Sequence, residues 1–346
     1  SSIFYIISLL SLLGLFVFGT EINGAKSWYR FGGVSLQPSE FAKAFTALAL
    51  AKLMSNRKYN LDVKKNQLKA FIIIFLPAFL IAVHDPGSAI IYLAFFFVLN
   101  REGLTLAYII FGCTAIILFI ATILAGVKII IGSLFILITT YLIYKIFINK
   151  RFLQFNWLKV VAIYFFSSLF IFTADYSYNH VLKKHQRDRF EVILGRTSDT
   201  QQIGYNSDQS IQTISSGKFW GKGFLEGDKT QGNFVPAQDT DYIFSVVGEE
   251  WGFVGSSLVI LLFIALLFRI IHRAEKHANK FGRIYGYGVA SVLFSHIVVN
   301  IGMVIGLLPT VGIPLPFFSY GGSSLWGFTL LLFIFIKLDA QKSYDW

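Results

Sequence analysis

Ten long apolar runs constrain this chain more than any other feature of its sequence. Each run is long enough, or nearly so, to cross about 30 Å of hydrocarbon as a helix. Inside a membrane every backbone polar group must be bonded within the protein, so such runs fold as helices. We therefore predict an all-α, polytopic integral membrane protein with about ten transmembrane helices, at roughly residues 3–19, 39–54, 70–84, 88–100, 105–125, 128–148, 158–175, 241–268, 284–308 and 319–337.

The composition agrees with a membrane protein rather than a soluble domain. Of the 346 residues, 55% are hydrophobic and only 14% are charged. The net charge of +11 does not indicate nucleic-acid binding, because the basic residues stand mainly in short connections between apolar runs. With one cysteine, Cys113, no disulfide can form within the chain.

Basic residues also predict the orientation. Three connections rich in Lys and Arg, near 52–69, 145–159 and 269–283, fall on the same side when ten runs are counted. The positive-inside rule makes that side cytoplasmic, together with both termini. We predict a single transmembrane domain over 1–346, with one long extracytoplasmic loop at 176–240.

The stretch Val235–Gly255 joins this polar loop to a strongly apolar helix. Asp239 or Thr240 is expected to cap the helix, and Asp241 then falls in its first turn, where the helix dipole favours an acid. The Glu249–Glu250 pair lies roughly 12 Å further along at about 1.5 Å per residue. Two interpretations stand at this point: a functional acid at the helix entrance, or an ordinary helix cap.

Two other outward connections carry acids. Glu40 and Lys43 are three residues apart at the start of a helix and share a face. They form either a neutralising pair or a site at which Lys43 meets an anionic substrate. Asp85 precedes Pro86, which disfavours a helical conformation, so a turn role is expected for it.

The long loop carries fixed positive charge, including Arg187 and Lys222, and a glycine-rich piece with Gly217, Gly221 and Gly223. Arginine suits phosphate contacts and glycine permits close backbone approach, although the spacing is not that of a Walker motif. The alternative is an amphipathic loop on the membrane surface.

The connection at 309–318 has three prolines and predicts a broken or re-entrant element. His296 and Asn300 lie on one face of the preceding helix. Buried polar pairing between helices is expected for both of them.

Several blocks together resemble the shape, elongation, division and sporulation family. They extend from about Asn23 to Trp326 and read N-G-A-K-S-W-Y, Q-P-S-E-F-A-K, D-P-G-S-A, H-Q-R-D-R-F, G-K-G, D-T-D-Y-I-F-S-V-V-G-E-E-W-G-F-V-G and N-I-G-M-V-I-G-L-L-P-T-V-G-I-P-L-P-F-F-S-Y-G-G-S-S. The last two blocks are the most specific.

The resemblance implies a peptidoglycan glycosyltransferase of the bacterial cytoplasmic membrane. Such proteins polymerise lipid II, the lipid-linked disaccharide-peptide, at the outer face, with a class B penicillin-binding protein as partner. Matched by motif, the family's catalytic acid falls on Asp241. The positions expected to bind substrate are Glu40, Lys43, Arg30, Asp85, Arg187, Gln209, Lys222 and Ser319.

The chain departs from the family pattern at several places. Asp85 stands in His-Asp-Pro-Gly where Pro-Asp-Leu-Gly is usual, and Ser27 replaces an Arg whose charge Arg30 is expected to supply. The segment 104–148 reads as an added helical pair.

The expected chemistry is a single displacement with Asp241 as general base. Its pyrophosphate leaving group needs charge stabilisation, by Lys43, Arg187, Lys222 or a divalent cation, Mg²⁺ or Mn²⁺. Two other functions remain open: a flippase or transporter of the lipid-linked precursor, and a non-catalytic scaffold for a penicillin-binding protein. The polar motifs concentrate on the outer side, which favours surface chemistry over transport.

Overall fold

A computed structural model describes residues 1–22, 25–149, 157–181, 187 and 205–341. It is almost entirely helical, as the apolar runs predict. The chain forms two compact units, one from Ser1–Thr105 with Thr200–Trp346 and the other from Leu106–Asp199. The sequence analysis instead predicts a single domain over 1–346 that contains an added helical pair at 104–148. That domain assignment stays a prediction.

The first unit opens with a helix, a small antiparallel sheet and a second helix. These are α1 (Ser2–Phe18), β1 (Thr20–Ile22), β2 (Ala25–Phe31), β3 (Val34–Leu36) and α2 (Pro38–Met54). Pro38 is the first residue of α2, a position where its missing N–H breaks no helical bond. The sheet was missed by the sequence analysis, which treated 20–38 only as an outward loop.

The fourth predicted run is not one continuous helix. After α3 (Lys64–Ala82) come α4 (Pro86–Ile90), a 3₁₀ turn (Ile91–Ala94) and α5 (Phe95–Arg101). The second unit then contains α6 (Ala107–Ala125), α7 (Val127–Asn149) and α8 (Trp157–Tyr176), with a π-helical turn over Ser177–Val181. The helices predicted for 104–148 are therefore confirmed as α6 and α7.

The first unit continues with two short and three long helices. They are α9 (Tyr205–Ser216), α10 (Asp228–Gln231), α11 (Ile243–Glu275), α12 (Lys280–Val304) and α13 (Gly322–Gln341). Every predicted apolar run coincides with a described helix or helical group. Within the described residues, seven helices are long and apolar enough to cross a membrane, namely α3, α6, α7, α8, α11, α12 and α13. The count of ten spans stays a prediction.

Helix α12 forms the centre of the first unit. In α12, 72% of the apolar stretch is buried in the protein, against 11% in α11 and 28% in α3 and α13. Its N-terminal end lies beside ion pairs that include Arg283 with Glu102 and Arg101 with Glu275. At about 1.5 Å per residue, α12 is long enough to cross the bilayer. Its C-terminal end therefore lies at the opposite end of this unit.

Helix α11 is interrupted at Gly252, where φ is +63° and ψ is −158°. The break leaves backbone N–H and C=O groups of α11 without helical partners. Four backbone hydrogen bonds between α11 and residues 218–223 of the polar loop replace the missing helical bonds. Two run from the loop to carbonyls before the break, Lys222 N–H to Glu249 and Gly223 N–H to Glu250, each 3.0 Å long. The other two run from Phe253 and Val254 N–H, after the break, to the carbonyls of Lys218 and Phe219, at 3.0 and 3.2 Å.

Glycines allow the loop to approach α11 this closely. A Cβ atom on Gly217 would lie 2.0 Å from the carbonyl oxygen of Gly248, and one on Gly221 would lie 2.1 Å from that of Glu250. The close approach expected of the glycine-rich piece is therefore confirmed, and what approaches is the backbone of α11.

We expect Gly252→Ala to destabilise the protein. The conformation at this position is open essentially to glycine, and strain of this kind costs about 1–3 kcal/mol. A Cβ atom would also lie 2.3 Å from the amide nitrogen of Gly221. The measurement is the apparent unfolding temperature of the purified protein in detergent. Gly112→Ala is the control, because its Cβ would meet no other atom within 4 Å. An equal response of the two variants would contradict the packing described here.

Candidate active site

Asp241 stands at the entrance of α11, two residues before the helix begins at Ile243. Tyr242 occupies the N-cap position and makes no side-chain capping bond. The expected cap at Asp239 or Thr240 was therefore wrong, because the helix begins later than its apolar pattern suggests. Asp241 is partly exposed at this end of the helix.

Asn300 joins Asp241 to the loop that follows α12. Its side-chain Nδ2 donates to the backbone carbonyls of Asp241 and Ile313, both at 2.7 Å. The Asp241 carboxylate faces the same loop: its Oδ2 would lie 3.4 Å from a Cβ atom placed on Gly312. The asparagine thus holds the Asp241 backbone and the loop, residues 309–315, at a fixed separation.

His296, one turn earlier on the same face of α12, extends this network toward α2. Its Nδ1 lies 3.1 Å from the carbonyl oxygen of Pro314, which can only accept, so Nδ1 carries the proton. Its Nε2 is then an acceptor, and Lys43 Nζ donates to it at 2.8 Å. Lys43 Nζ also donates to Glu40 Oε1 at 2.8 Å. A chain of side-chain bonds therefore runs from Glu40 to residues 309–315.

The Glu40–Lys43 pair is deeply buried, with each residue only 2% exposed. Phe328 covers it from α13; its ring lies 5.5 Å from Lys43 Nζ and in edge contact with His296. A lone charge is costly inside a membrane protein, whereas this acid–base pair carries no net charge. The geometry favours the neutralising pair among the two alternatives for Lys43, and its contact with a substrate stays a prediction.

Asp85 supports the same loop from another side. Its carboxylate accepts from the N–H and the hydroxyl of Ser88 at 3.2 and 2.6 Å, and thereby caps α4. Gln37 Nε2 donates to it at 3.4 Å. A Cβ atom on the adjacent Gly87 would lie 2.5 Å from the carbonyl oxygen of Val311, so α4 packs directly against the loop. The turn role expected for Asp85 is confirmed.

Ser319 closes a turn at the far end of this connection. Leu315 N–H donates to Ser319 Oγ at 2.7 Å, and Ser319 N–H donates to the Leu315 carbonyl at 3.1 Å. Tyr320 N–H then donates to the carbonyl of Asp239 at 2.8 Å. The non-helical element predicted at 309–318 is thus confirmed, and it is tied to the segment that carries Asp241.

Lys222 is engaged away from Asp241, in contacts with its own loop and with α11. Its Nζ donates to Glu249 Oε1 at 2.7 Å and to Asp228 Oδ2 at 3.0 Å. These hydrogen bonds raise the pKa of Lys222 above its usual value. The ammonium group therefore stays charged, and its described role is to hold the loop on α11.

The other predicted site residues occupy separate elements. Arg30 is exposed on β2, opposite Ser35 of β3. Gln209 is partly buried on α9. Arg187 belongs to the second unit, where its Nη1 donates to the carbonyl of Asn179 at 3.1 Å. Their roles in binding stay predictions.

The structure thus brings together Asp241, Asp85, Ser319 and the Glu40–Lys43 pair around one loop. It also assigns His296 and Asn300 a larger role than the buried pairing expected of them, because both bind the carbonyls of that loop. The sequence signal for this role is the four-residue spacing of two polar side chains on an apolar helix.

Within the described part of the chain, no group of three or more His, Cys, Asp or Glu side chains is placed to hold a metal ion. The described residues therefore do not form a protein cage for the expected divalent cation. What the arrangement does offer is a partly exposed aspartate whose backbone is held by Asn300 and whose carboxylate faces loop 309–315. Such a carboxylate can take a proton from a substrate hydroxyl.

Comparisons with known proteins all lead to one family of membrane proteins. The family model for the FtsW, RodA and SpoVE cell cycle proteins matches residues 1–156 and 131–344. The peptidoglycan glycosyltransferase MrdB of Escherichia coli is 33% identical over 323 residues, which cover 93% of this chain and 72% of MrdB. The peptidoglycan glycosyltransferase RodA of Treponema pallidum is 30% identical over 354 residues, covering 94% and 79%.

Solved structures are similar as well. A chain from a peptidoglycan synthase complex, solved to explain how polymerization and crosslinking are coordinated, has a TM-score of 0.68 and 26% identity. The match covers 99% of this chain and 81% of that one. RodA of Thermus thermophilus has a TM-score of 0.56 at 23% identity, covering 99% and 78%, and supports the fold alone.

We expect Lys43→Met to destabilise the protein by about 3–5 kcal/mol, because Glu40 would remain buried without its cation. The double variant Glu40→Gln/Lys43→Met should recover much of this loss, since it leaves no buried charge. Apparent unfolding temperatures in lipid nanodiscs measure both effects. Lys276→Met, at an exposed position, is the control. A double variant as unstable as Lys43→Met would show that the ion pair is not the source of the effect.

Proposed function

Because this chain belongs to the family of the FtsW, RodA and SpoVE cell cycle proteins, we propose that it is a peptidoglycan glycosyltransferase. Its substrate in this proposal is lipid II, the undecaprenyl-pyrophosphate-linked disaccharide-peptide, which it polymerises into glycan strands for cell elongation and shape. A membrane location agrees with the substrate, whose lipid tail must stay in the bilayer while its sugars react.

The position of Asp241 is the observation that carries this proposal. Asp241 is partly exposed just before a membrane helix, and its carboxylate faces loop 309–315. Its backbone is fixed by Asn300, which also fixes the adjacent loop. A general base needs such a rigid position, because small displacements from the reacting atoms cost large factors in rate.

In the proposed reaction, a sugar hydroxyl of one substrate attacks the anomeric carbon of another. The new bond forms between the hydroxyl oxygen and that carbon, and the bond from the carbon to the pyrophosphate oxygen breaks. The electron pair leaves with undecaprenyl pyrophosphate, and the hydroxyl proton passes to the Asp241 carboxylate. One displacement of this kind inverts the anomeric centre.

Glu40, Lys43 and His296 are positioning residues in this mechanism. Lys43 donates to His296, and His296 donates to the Pro314 carbonyl in the loop that faces Asp241. The chain of bonds leaves the Lys43 ammonium no exposed face. We therefore propose that Lys43 acts on the reaction through loop 309–315, whereas the family motif alone would place it in contact with the substrate.

The leaving pyrophosphate needs positive charge, and Arg187 is the proposed source within this chain. Guanidinium groups bind phosphate oxygens through paired hydrogen bonds. Mg²⁺ or Mn²⁺ is proposed as a further source. Such ions commonly bind through one or two carboxylates and the phosphates of the substrate, so a cation of this kind would enter with lipid II.

The proposed location is the bacterial cytoplasmic membrane, with Asp241 on the extracytoplasmic side. The three Lys- and Arg-rich connections support this orientation. The proposed partner is a class B penicillin-binding protein, which would cross-link the new strands. The structural similarity to a chain of a peptidoglycan synthase complex supports such a partner.

We expect Asp241→Asn to lower glycan polymerisation by about 10²–10⁴-fold, the usual contribution of a general base. The assay uses purified protein, lipid II, a divalent cation and the partner penicillin-binding protein, with glycan strands separated on a gel. Asp239→Asn is the matched control: this residue is two positions away and exposed, and its described bond is made by its backbone carbonyl.

Near-normal polymerisation by Asp241→Asn would contradict the assignment of the base. A wild-type protein that moves lipid II across vesicle membranes without forming glycan would indicate a transporter. A protein that only raises cross-linking by its partner would indicate a scaffold.

A further inference from the structure

A cluster of exposed apolar side chains lies where residues 217–225 of the polar loop contact α11 at its break, Gly252. We call it the aromatic wedge, and it consists of Phe219, Trp220, Phe224, Leu225, Trp251 and Phe253. Each of these side chains is at least half exposed, and Trp220 is 77% exposed. Stacking joins the two sides of the wedge, since Phe219 packs on Phe253 and Phe224 lies against Trp251.

Several polar groups of the backbone beneath the wedge are bonded within the protein. Lys218 and Phe219 carbonyls accept from α11, and the N–H groups of Lys222 and Gly223 donate to α11. Gly221 N–H donates to the carbonyl of Gly217 at 2.8 Å. Non-helical backbone can enter the apolar part of a membrane only when its polar groups are satisfied in this way.

A buried carboxylate holds the wedge segment on the helix. Glu249 is fully buried, and its oxygens accept from Lys222, Ser216 and Thr230 at 2.7 to 2.9 Å. The backbone N–H groups of Lys229 and Thr230 donate to it as well. The charges of Lys222 and Glu249 are therefore paired against α11. The aromatic rings of the segment are exposed, as are Lys218 and Glu226 at its two ends.

The wedge is continuous with the apolar surface of α11. Beyond the break, Leu258, Leu261 and Leu262 are 56%, 60% and 60% exposed. In a helix apolar enough to span a membrane, a face of this kind contacts lipid. The wedge stands at the end of that face nearer to Asp241, where tryptophan and other aromatic residues are enriched at the membrane–water interface.

We propose that the aromatic wedge inserts into the lipid leaflet at the Asp241 end of the protein. The aromatic rings would contact lipid at the boundary between headgroups and acyl chains. This insertion does not require the proposed enzymatic activity. The wedge would hold the loop that precedes Asp241 at the membrane surface. A partner protein covering the same rings is the competing possibility, and the experiment below separates the two.

The single cysteine of the chain makes a direct test possible. Cys113→Ser removes the native thiol, which is exposed and would otherwise be labelled. Trp220→Cys or Phe224→Cys is then introduced and labelled with an environment-sensitive fluorophore, nitrobenzoxadiazole. Gln231→Cys is the matched control, because this position is exposed and polar and lies on α10 of the same loop. The labelled proteins are placed in nanodiscs without any partner, with and without lipids that carry a nitroxide quencher on the acyl chain.

Insertion predicts a blue-shifted emission at positions 220 and 224 relative to 231, and loss of most of that emission when the quencher lipids are present. The emission at 231 should remain nearly unchanged. Equal emission at all three positions, with no quenching, would overturn the proposal. So would a probe at 220 that is in water in the nanodisc and becomes shielded only when the purified penicillin-binding protein is added.

Discussion

The hydrogen bonds that His296 and Asn300 make from α12 hold together the part of the structure on which catalysis would depend. Loop 309–315 is not helical, so its buried carbonyls need donors from elsewhere in the protein. His296 and Asn300 supply them to Pro314 and Ile313. Asn300 also donates to the backbone carbonyl of Asp241. The hydrogen bonds that satisfy the buried carbonyls of the loop therefore also position Asp241.

A second requirement arises where α11 is broken at Gly252. A break in a membrane helix leaves carbonyl and amide groups without partners, and segment 217–223 supplies them from the side. Its glycines and those of α11 permit this contact, and Glu249 with Lys222 locks it. Segment 217–223 and helix α11 therefore pack as one folded element.

Helices could be predicted from the sequence because long apolar runs in a membrane protein fold as helices. Each predicted run coincides with a helix, except that the run at 88–100 is divided by a 3₁₀ turn. The sheet over 20–36 could not, because its three short strands are joined by backbone bonds between segments with no long apolar pattern. Asp241 was proposed as the functional acid from its motif and its place near a helix start, and that role stays a prediction. The hydrogen bond between Lys43 and His296 could not be inferred, because His296 is 253 residues away in the sequence and only the fold brings them to 2.8 Å.

The most direct test of the central claim separates binding of lipid II from the chemical step. Wild-type protein and Asp241→Asn are compared in nanodiscs, by the dissociation constant for lipid II and by single-turnover formation of the first glycosidic bond. A carboxylate that acts only as a base predicts similar dissociation constants and a single-turnover rate lower by about 10²–10⁴-fold in the variant. Unchanged bond formation, or a loss explained wholly by weaker binding, would contradict the account.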